Sequence, residues 1–224
     1  MKFNRKKLCH LLLAILLTAG ASWAESPFVG RRADALDSAL WAKSQWISAH
    51  DAPIITQKIA DNNERAADGA SWFVTNIKNH KELSSIKWMT SGLGVYNLYI
   101  NGKPVGEEIL KPGFTHYDKT KLSFTYDLTD AVSKNKDAEN SFAAQLTPGW
   151  WADKIITPRG SEGMNGKKVA FRSVIELTYT DGSKEHFGTN TNNWKAGIAG
   201  PVKHAAIYDG EIYDAREKPG FSNL

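Results

Sequence analysis

Two carboxylates near the end of the chain, Asp209 and Glu211, have a spacing that suggests chemistry. On a strand, residues i and i+2 share a face about 6.6 Å apart. That separation falls within the range of carboxyl pairs that hydrolyse glycosidic bonds with inversion. Such pairs must flank the scissile bond from opposite sides, whereas two neighbours on one strand project in parallel. Hydrolysis by this pair alone is therefore disfavoured on geometry. Three roles are left: holding sugar hydroxyls, holding a calcium ion (which favours clustered oxygen ligands), or forming a polar edge or salt-bridge ladder with Arg216. The surrounding stretch, Ile207 to Arg216, echoes an earlier one, Gly92 to Lys103, in its mixture of aromatic and polar residues.

A second constellation is Pro148-Gly149-Trp150-Trp151-Ala152-Asp153, at the start of a long loop reaching about Gly166. Adjacent tryptophans in a Pro/Gly-flanked loop cannot both face a core easily, although a single Trp is more often core than not. An exposed indole offers an apolar platform for the C–H face of a pyranose, and Asp153 and Arg159 supply polar groups for its hydroxyls. The candidate sugar-binding residues are thus Trp150, Trp151, Asp153, Arg159, Asp209 and Glu211, with the last two as possible calcium ligands.

Other chemistries are excluded by pattern. Gly92-Leu93-Gly94 lacks the third glycine of a dinucleotide fingerprint, and an alternating strand follows where a helix is required. There is no P-loop, no His-Glu-x-x-His and no Gly-x-Ser-x-Gly. The histidines beyond the leader (His50, His80, His116, His186 and His204) have no zinc-ligand spacing.

The elements that must carry these residues read almost entirely as β. Residues 25 to 45 form a weakly helical lead-in, with Leu36 and Leu40 one turn apart. Strands are expected at Ala70 to Ile77, Ser85 to Thr90, Leu93 to Ile100, Leu122 to Tyr126, Ser141 to Leu146 and Val169 to Tyr179. In the third, Tyr96, Leu98 and Ile100 share one face, while Asn97 and Tyr99 point the other way. Asn101-Gly102 follows as a hairpin signal, since both residues tolerate φ > 0. Asp181-Gly182 turns the last strand back into Ser183 to Phe187, and Asp127 to Ser133 reads as one helical turn capped by Asp130. Short strands at this spacing, separated by turn chemistry, imply an all-β antiparallel sandwich or jelly roll.

Residues 1–24 read as a cleavable leader. Lys2, Arg5, Lys6 and Lys7 precede the apolar run Leu11 to Leu17, which is shorter than a membrane span, and Ser22-Trp23-Ala24 offers a cleavage site. A secreted or periplasmic protein is expected, free of the membrane once processed. The net charge of +4 belongs to this leader, which holds four of the 28 basic residues and none of the 24 acidic ones. A neutral remainder gives no support for nucleic-acid binding. The single cysteine, Cys9, also lies in the leader, so a hydrophobic core without disulfides must hold the fold. Residues 25–69 are assigned as a lead-in with a first strand and 70–224 as one sandwich domain.

Taken together, residues from about 70 to 220 resemble the N-terminal β-sandwich module of bacterial α-L-rhamnosidases. The resemblance rests on Gly92-Leu93-Gly94-Val95-Tyr96, Tyr99 to Gly106, Leu110-Lys111-Pro112-Gly113-Phe114-Thr115-His116-Tyr117 and Tyr126 to Asp130. It continues through Gly149-Trp150-Trp151, Tyr179 to Ser183, Trp194-Lys195-Ala196, Gly200-Pro201 and Ile207 to Arg216. Where the family has Gly-x-Gly-Trp-Tyr, this chain has Thr147-Pro148-Gly149-Trp150-Trp151. The resemblance implies a galactose-binding-domain-like jelly roll that binds rhamnose-containing glycan, with calcium in related modules. It transfers no catalytic residue, because hydrolysis in the family belongs to acidic residues of a downstream (α/α) barrel. A truncated or split rhamnosidase whose barrel lies on another chain, and a structural module that packs on such a barrel, are the alternatives it leaves.

Overall fold

The computed structural model describes residues 26–49, 70–155, 161–162 and 165–222; the expected leader, residues 50–69 and Arg159 lie outside them. In chain order the strands are β1 (Arg31–Arg32), β2 (Ser71–Lys78), β3 (Leu83–Leu93), β4 (Val95–Ile100), β5 (Lys103–Val105), β6 (Phe124–Asp127) and β7 (Glu139–Thr147). They continue with β8 (Lys154–Ile155), β9 (Ser161–Glu162), β10 (Ala170–Tyr179), β11 (Lys184–Gly188), β12 (Lys195–Ile198), β13 (Val202–Ala206) and β14 (Gly210–Tyr213). Two five-stranded sheets result, β1-β6-β3-β10-β11 and β12-β2-β7-β4-β5, with every named strand pairing antiparallel. This is the expected sandwich.

Alternation places the large side chains between the sheets. Trp88 and Phe171 come from the first sheet, and Phe73, Phe142 and Tyr96 from the second; all five are fully buried. Phe73 stacks on Phe171 at 5.7 Å, and Trp88 meets Phe142 edge-on at 5.3 Å. The chain changes sheets between β3 and β4 at Gly94, whose φ is +136°. A Cβ there would lie 2.5 Å from the Thr147 carbonyl oxygen, so the Gly-Leu-Gly stretch is a corner of the sandwich. Asn101 and Gly102 both take φ > 0 and join β4 to β5, as their chemistry requires.

The expected helical lead-in is present as a short 3-10 helix at Ser38–Lys43, capped by Asp37, whose side chain accepts from the Ala39 N–H. One local reading is corrected. Residues 129–131 form a single turn closed by the Ala131 N–H on the Leu128 carbonyl at 2.9 Å, but Asp127, not Asp130, accepts from the Thr129 N–H at 2.9 Å. The aspartate three residues earlier wins because it ends β6 and already faces the turn. No helix among the described residues is long and apolar enough to cross a membrane.

The second sheet does not leave its outer face bare. The β13–β14 hairpin and a 3-10 turn at Gly220–Ser222 fold over it, and Trp72, Tyr99 and Phe221 pack together there with centroids 5.4–5.6 Å apart. Gly220 is seated directly on the Trp72 indole, where a Cβ would lie 2.2 Å from the ring.

Candidate functional site

The outward-facing residues of β4 and β7 form the base of the site. Asn97 and Gln145 are cross-strand partners, and the Asn97 amide approaches the Gln145 side-chain oxygen at 3.5 Å, the outer limit of a hydrogen bond. Val95 and Thr147 are the next pair along the same face. The β13–β14 hairpin lies above them. Between hairpin and sheet is a cavity of about 310 Å³, lined by these four residues, by Leu110 and Ile109 from one side, and by Val202, Ala205, Ile207 and Glu211 from the other. The two segments that echo one another in sequence, 92–103 and 207–216, are therefore opposite walls of one cavity.

Local conformation shapes this cavity. Gly149, at the start of the one-turn helix α1 (Gly149–Ala152), adopts φ +49° against Val95, where a Cβ would meet Cγ2 at 2.4 Å. Leu110 is a non-glycine residue at φ +57° and is 43 % exposed; Ile109 beside it is 86 % exposed. The adjoining loop is held from below by Lys111, which is buried and donates to the carbonyl oxygens of Val105 at 2.7 Å and Gly106 at 3.4 Å. Burial pulls its ammonium down to a pKa of about 8, with Glu108 partly opposing that effect.

The expected site residues are distributed unevenly. Glu211 lines the cavity. Asp209 does not share a strand face with it, because residues 207–209 form the hairpin turn and Gly210, at φ +81°, opens β14. The i, i+2 geometry therefore does not apply; Asp-Gly, a strong hairpin signal in its own right, was the clue. Nor does Arg216 form a ladder with them, since it pairs with Asp214 through two hydrogen bonds of 2.7 and 2.8 Å.

Asp153 is 1 % exposed, and its carboxylate accepts from the Ile207 backbone N–H at 2.8 Å. It braces the hairpin and is shut away from a sugar in solvent. Trp151 is half-buried: its indole N–H donates to the Lys168 carbonyl at 2.8 Å, it meets Tyr117 edge-on at 5.3 Å, and it covers Gly166. Trp150 is likewise half-buried, with Phe114 as its aromatic neighbour at 6.4 Å. The sequence reading missed Asn97, Gln145 and Thr147 as lining residues. The outward parity of Asn97 was legible; its juxtaposition with Gln145 was a matter of strand order.

A calcium ion takes six to eight oxygen ligands, commonly several carboxylates. Among the described residues, no group of three or more His, Cys, Asp or Glu is placed to hold a metal ion. Asp209 and Glu211 are therefore not part of such a group among the described residues.

Two antiparallel five-stranded sheets, with a cavity of mixed polar and apolar lining beneath the β13–β14 hairpin, define an all-β sandwich domain. The family model for the α-L-rhamnosidase N-terminal domain matches residues 81–224, and the chain belongs to that family. It is similar to an α-L-rhamnosidase of Alteromonas sp., 30% identical over 173 residues, covering 77% of this chain and 18% of the relative. A Streptomyces avermitilis α-L-rhamnosidase is 34% identical over 152 residues, covering 64% of this chain and 14% of the relative. Among solved structures, the α-L-rhamnosidase of Aspergillus terreus superimposes with a TM-score of 0.69 at 26% identity, over 80% of this chain and 19% of that one. The Streptomyces avermitilis enzyme complexed with L-rhamnose gives 0.61 at 30% identity, over 70% and 15%. The chain spans less than a quarter of the length of the curated relatives it matches.

Proposed function

We propose that this domain is an exported, non-catalytic carbohydrate-recognition module of the rhamnosidase type, taking a rhamnose-containing glycan into the cavity beneath the β13–β14 hairpin. The observation that carries the reading is the lining itself. Asn97, Gln145, Thr147 and Glu211 offer amide, hydroxyl and carboxylate groups to sugar hydroxyls, while Val95, Leu110 and Ile207 present an apolar wall. A 6-deoxy sugar has both surfaces, a run of hydroxyls and a methyl group. A cavity of about 310 Å³ is at the lower end of small-ligand sites, which suits one sugar unit.

Calorimetric titration with L-rhamnose tests this. Saturable binding that Asn97→Ala and Glu211→Gln each weaken is the expected result, with L-mannose, which carries a hydroxyl in place of the C6 hydrogen, binding more weakly. Repeating the titration with calcium and then with chelator reads any contribution of the ion. Binding unchanged in both variants would remove the cavity from the reading; absence of binding would remove sugar recognition altogether.

A second reading rests on a separate observation. Ile109, Leu110 and Phe114 are 86 %, 43 % and 58 % exposed, and Phe114 abuts Trp150, so an apolar rim runs along the cavity mouth. Contiguous exposed apolar surface marks an interface. Under this reading the rim packs on a catalytic barrel, carried elsewhere in a longer chain or on another one. Phe114→Ser would then abolish association with a barrel supplied in trans and leave L-rhamnose binding intact.

A further inference from the structure

The outer face of the first sheet carries a separate cleft of about 210 Å³, lined by Trp41, Trp46, Ser91, Lys121, Ser123 and Arg172. Arg172 on β10 and Ser91 on β3 are cross-strand partners, so the base of the cleft is rigid sheet. Its walls come from the lead-in, which brings the Trp41 and Trp46 rings to 5.1 and 6.0 Å from the Arg172 guanidinium. Both indoles are half-buried, so each leaves part of its surface open.

The charge is what distinguishes this cleft. Arg172 spends Nε on the Ser44 hydroxyl at 2.9 Å, and Nη2 on the carbonyls of Trp41 and Ser44. Its Nη1 has no hydrogen-bond partner among the described residues. Lys121 donates once, to the Tyr117 carbonyl at 2.9 Å, and is otherwise exposed. Neither cation forms an ion pair among the described residues, whereas Arg32, Lys81, Lys184, Lys203 and Arg216 all do. Burial lowers the Arg172 pKa from its ordinary value, yet a guanidinium stays charged at neutral pH. Two cations without a carboxylate partner among the described residues, set beside two indoles and the Ser123 hydroxyl, suit a ligand that is negative and ring-shaped.

We infer that this cleft is a second carbohydrate site, selective for a pyranose bearing an anionic substituent, a carboxylate or a sulfate ester. The indoles receive the apolar face of the ring, and Lys121 with the Nη1 of Arg172 receives the anion through charge-assisted hydrogen bonds. The inference does not rest on L-rhamnose binding in the hairpin cavity, which lies on the other sheet.

Tryptophan fluorescence titration with sodium glucuronate, glucose 6-sulfate, glucose and sodium sulfate tests it, using the whole chain. The expected result is saturable quenching by glucuronate, glucose 6-sulfate or both, weakened by added salt, with glucose and sulfate alone far weaker; which of the two sugars binds identifies the anion. Lys121→Ala, an exposed position outside the core, should lower that affinity about tenfold. Asn97→Ala in the other cavity should leave it unchanged, which separates this site from the hairpin cavity. Equal quenching by glucose, equal affinity for sulfate alone, or no effect of Lys121→Ala would each overturn the inference. Arg172 would then serve only to clamp the lead-in to the sheet.

Discussion

The Asp153 carboxylate accepts a hydrogen bond from the Ile207 backbone N–H at 2.8 Å, joining two segments 54 residues apart. It ties the end of α1 to the top of the β13–β14 hairpin, and so fixes the roof of the hairpin cavity relative to its floor. Asp153→Ala leaves that N–H without its partner in a buried setting, a loss of about 1–3 kcal/mol. The expected outcome is a lower melting temperature together with faster hydrogen exchange at Ile207 and along β13 and β14. The sandwich core should remain as protected as before.

Two of the glycines at positive φ, Gly182 and Gly149, differ in crowding and make a paired test. Gly182→Ala, at φ +79° with open space around it, carries only the conformational cost, about 1 kcal/mol. Gly149→Ala, at φ +49°, adds a clash with Val95 and costs clearly more. Chemical denaturation of both variants checks the ranking, and only Gly149→Ala should also disturb L-rhamnose titration.

Adjacent tryptophans should behave differently. Trp151→Ala removes a ring packed against the core, Tyr117 and Gly166, and orphans the Lys168 carbonyl, so a loss of about 3 kcal/mol is expected. Trp150→Ala should cost clearly less, about 1 kcal/mol, because this half-buried ring is not packed against the main core cluster. Thermal unfolding of both variants distinguishes a structural ring from a rim ring, and any sugar effect of Trp151→Ala must be read against its stability loss.

Lys111 gives a pH dependence of definite sign. Burial lowers its ammonium to about 8 in the fold, against the ordinary 10.5 in the unfolded chain. Below pH 8 both states hold the proton, and the burial penalty is fully present. As pH rises from about 8 toward 10, the fold has released the proton and the unfolded chain has not, so stability increases. Above 10 the buried phenols of Tyr96, Tyr126 and Tyr179, all shifted upward chiefly by burial, stay protonated while unfolded tyrosines ionise, and the trend reverses. Lys111→Met should flatten the rise between pH 8 and 10 in melting-temperature profiles.

Acid should act through Glu176. Burial alone would raise its carboxyl, but hydrogen bonds from Lys184 and His186 at 2.9 Å outweigh that and hold it below the usual range. Its contribution is complete above the unfolded value of 4.5 and disappears as pH falls through the lower folded value. Glu176→Gln should therefore cost stability at pH 7 and progressively less toward pH 3.

Local sequence was enough for what local physics controls. Strict alternation from Val95 to Ile100 set which side chains enter the core, and Asn101-Gly102 set where the chain reverses, because strand period and turn dihedrals depend only on neighbouring residues. The run of matching segments from about 70 to 220 was enough for the family. Tertiary structure decided the site. Asp153 reads as a surface carboxylate beside two loop tryptophans until the hairpin is folded over it. Asp209 reads as a strand residue until Gly210 opens the turn. Asn97 meets Gln145, and Arg172 meets Trp41, only through strand order and the docking of the lead-in. Such contacts join residues 48 and 131 positions apart in the chain. They depend on which faces are left to be buried once the sheets have paired, a global balance that no single window of sequence contains.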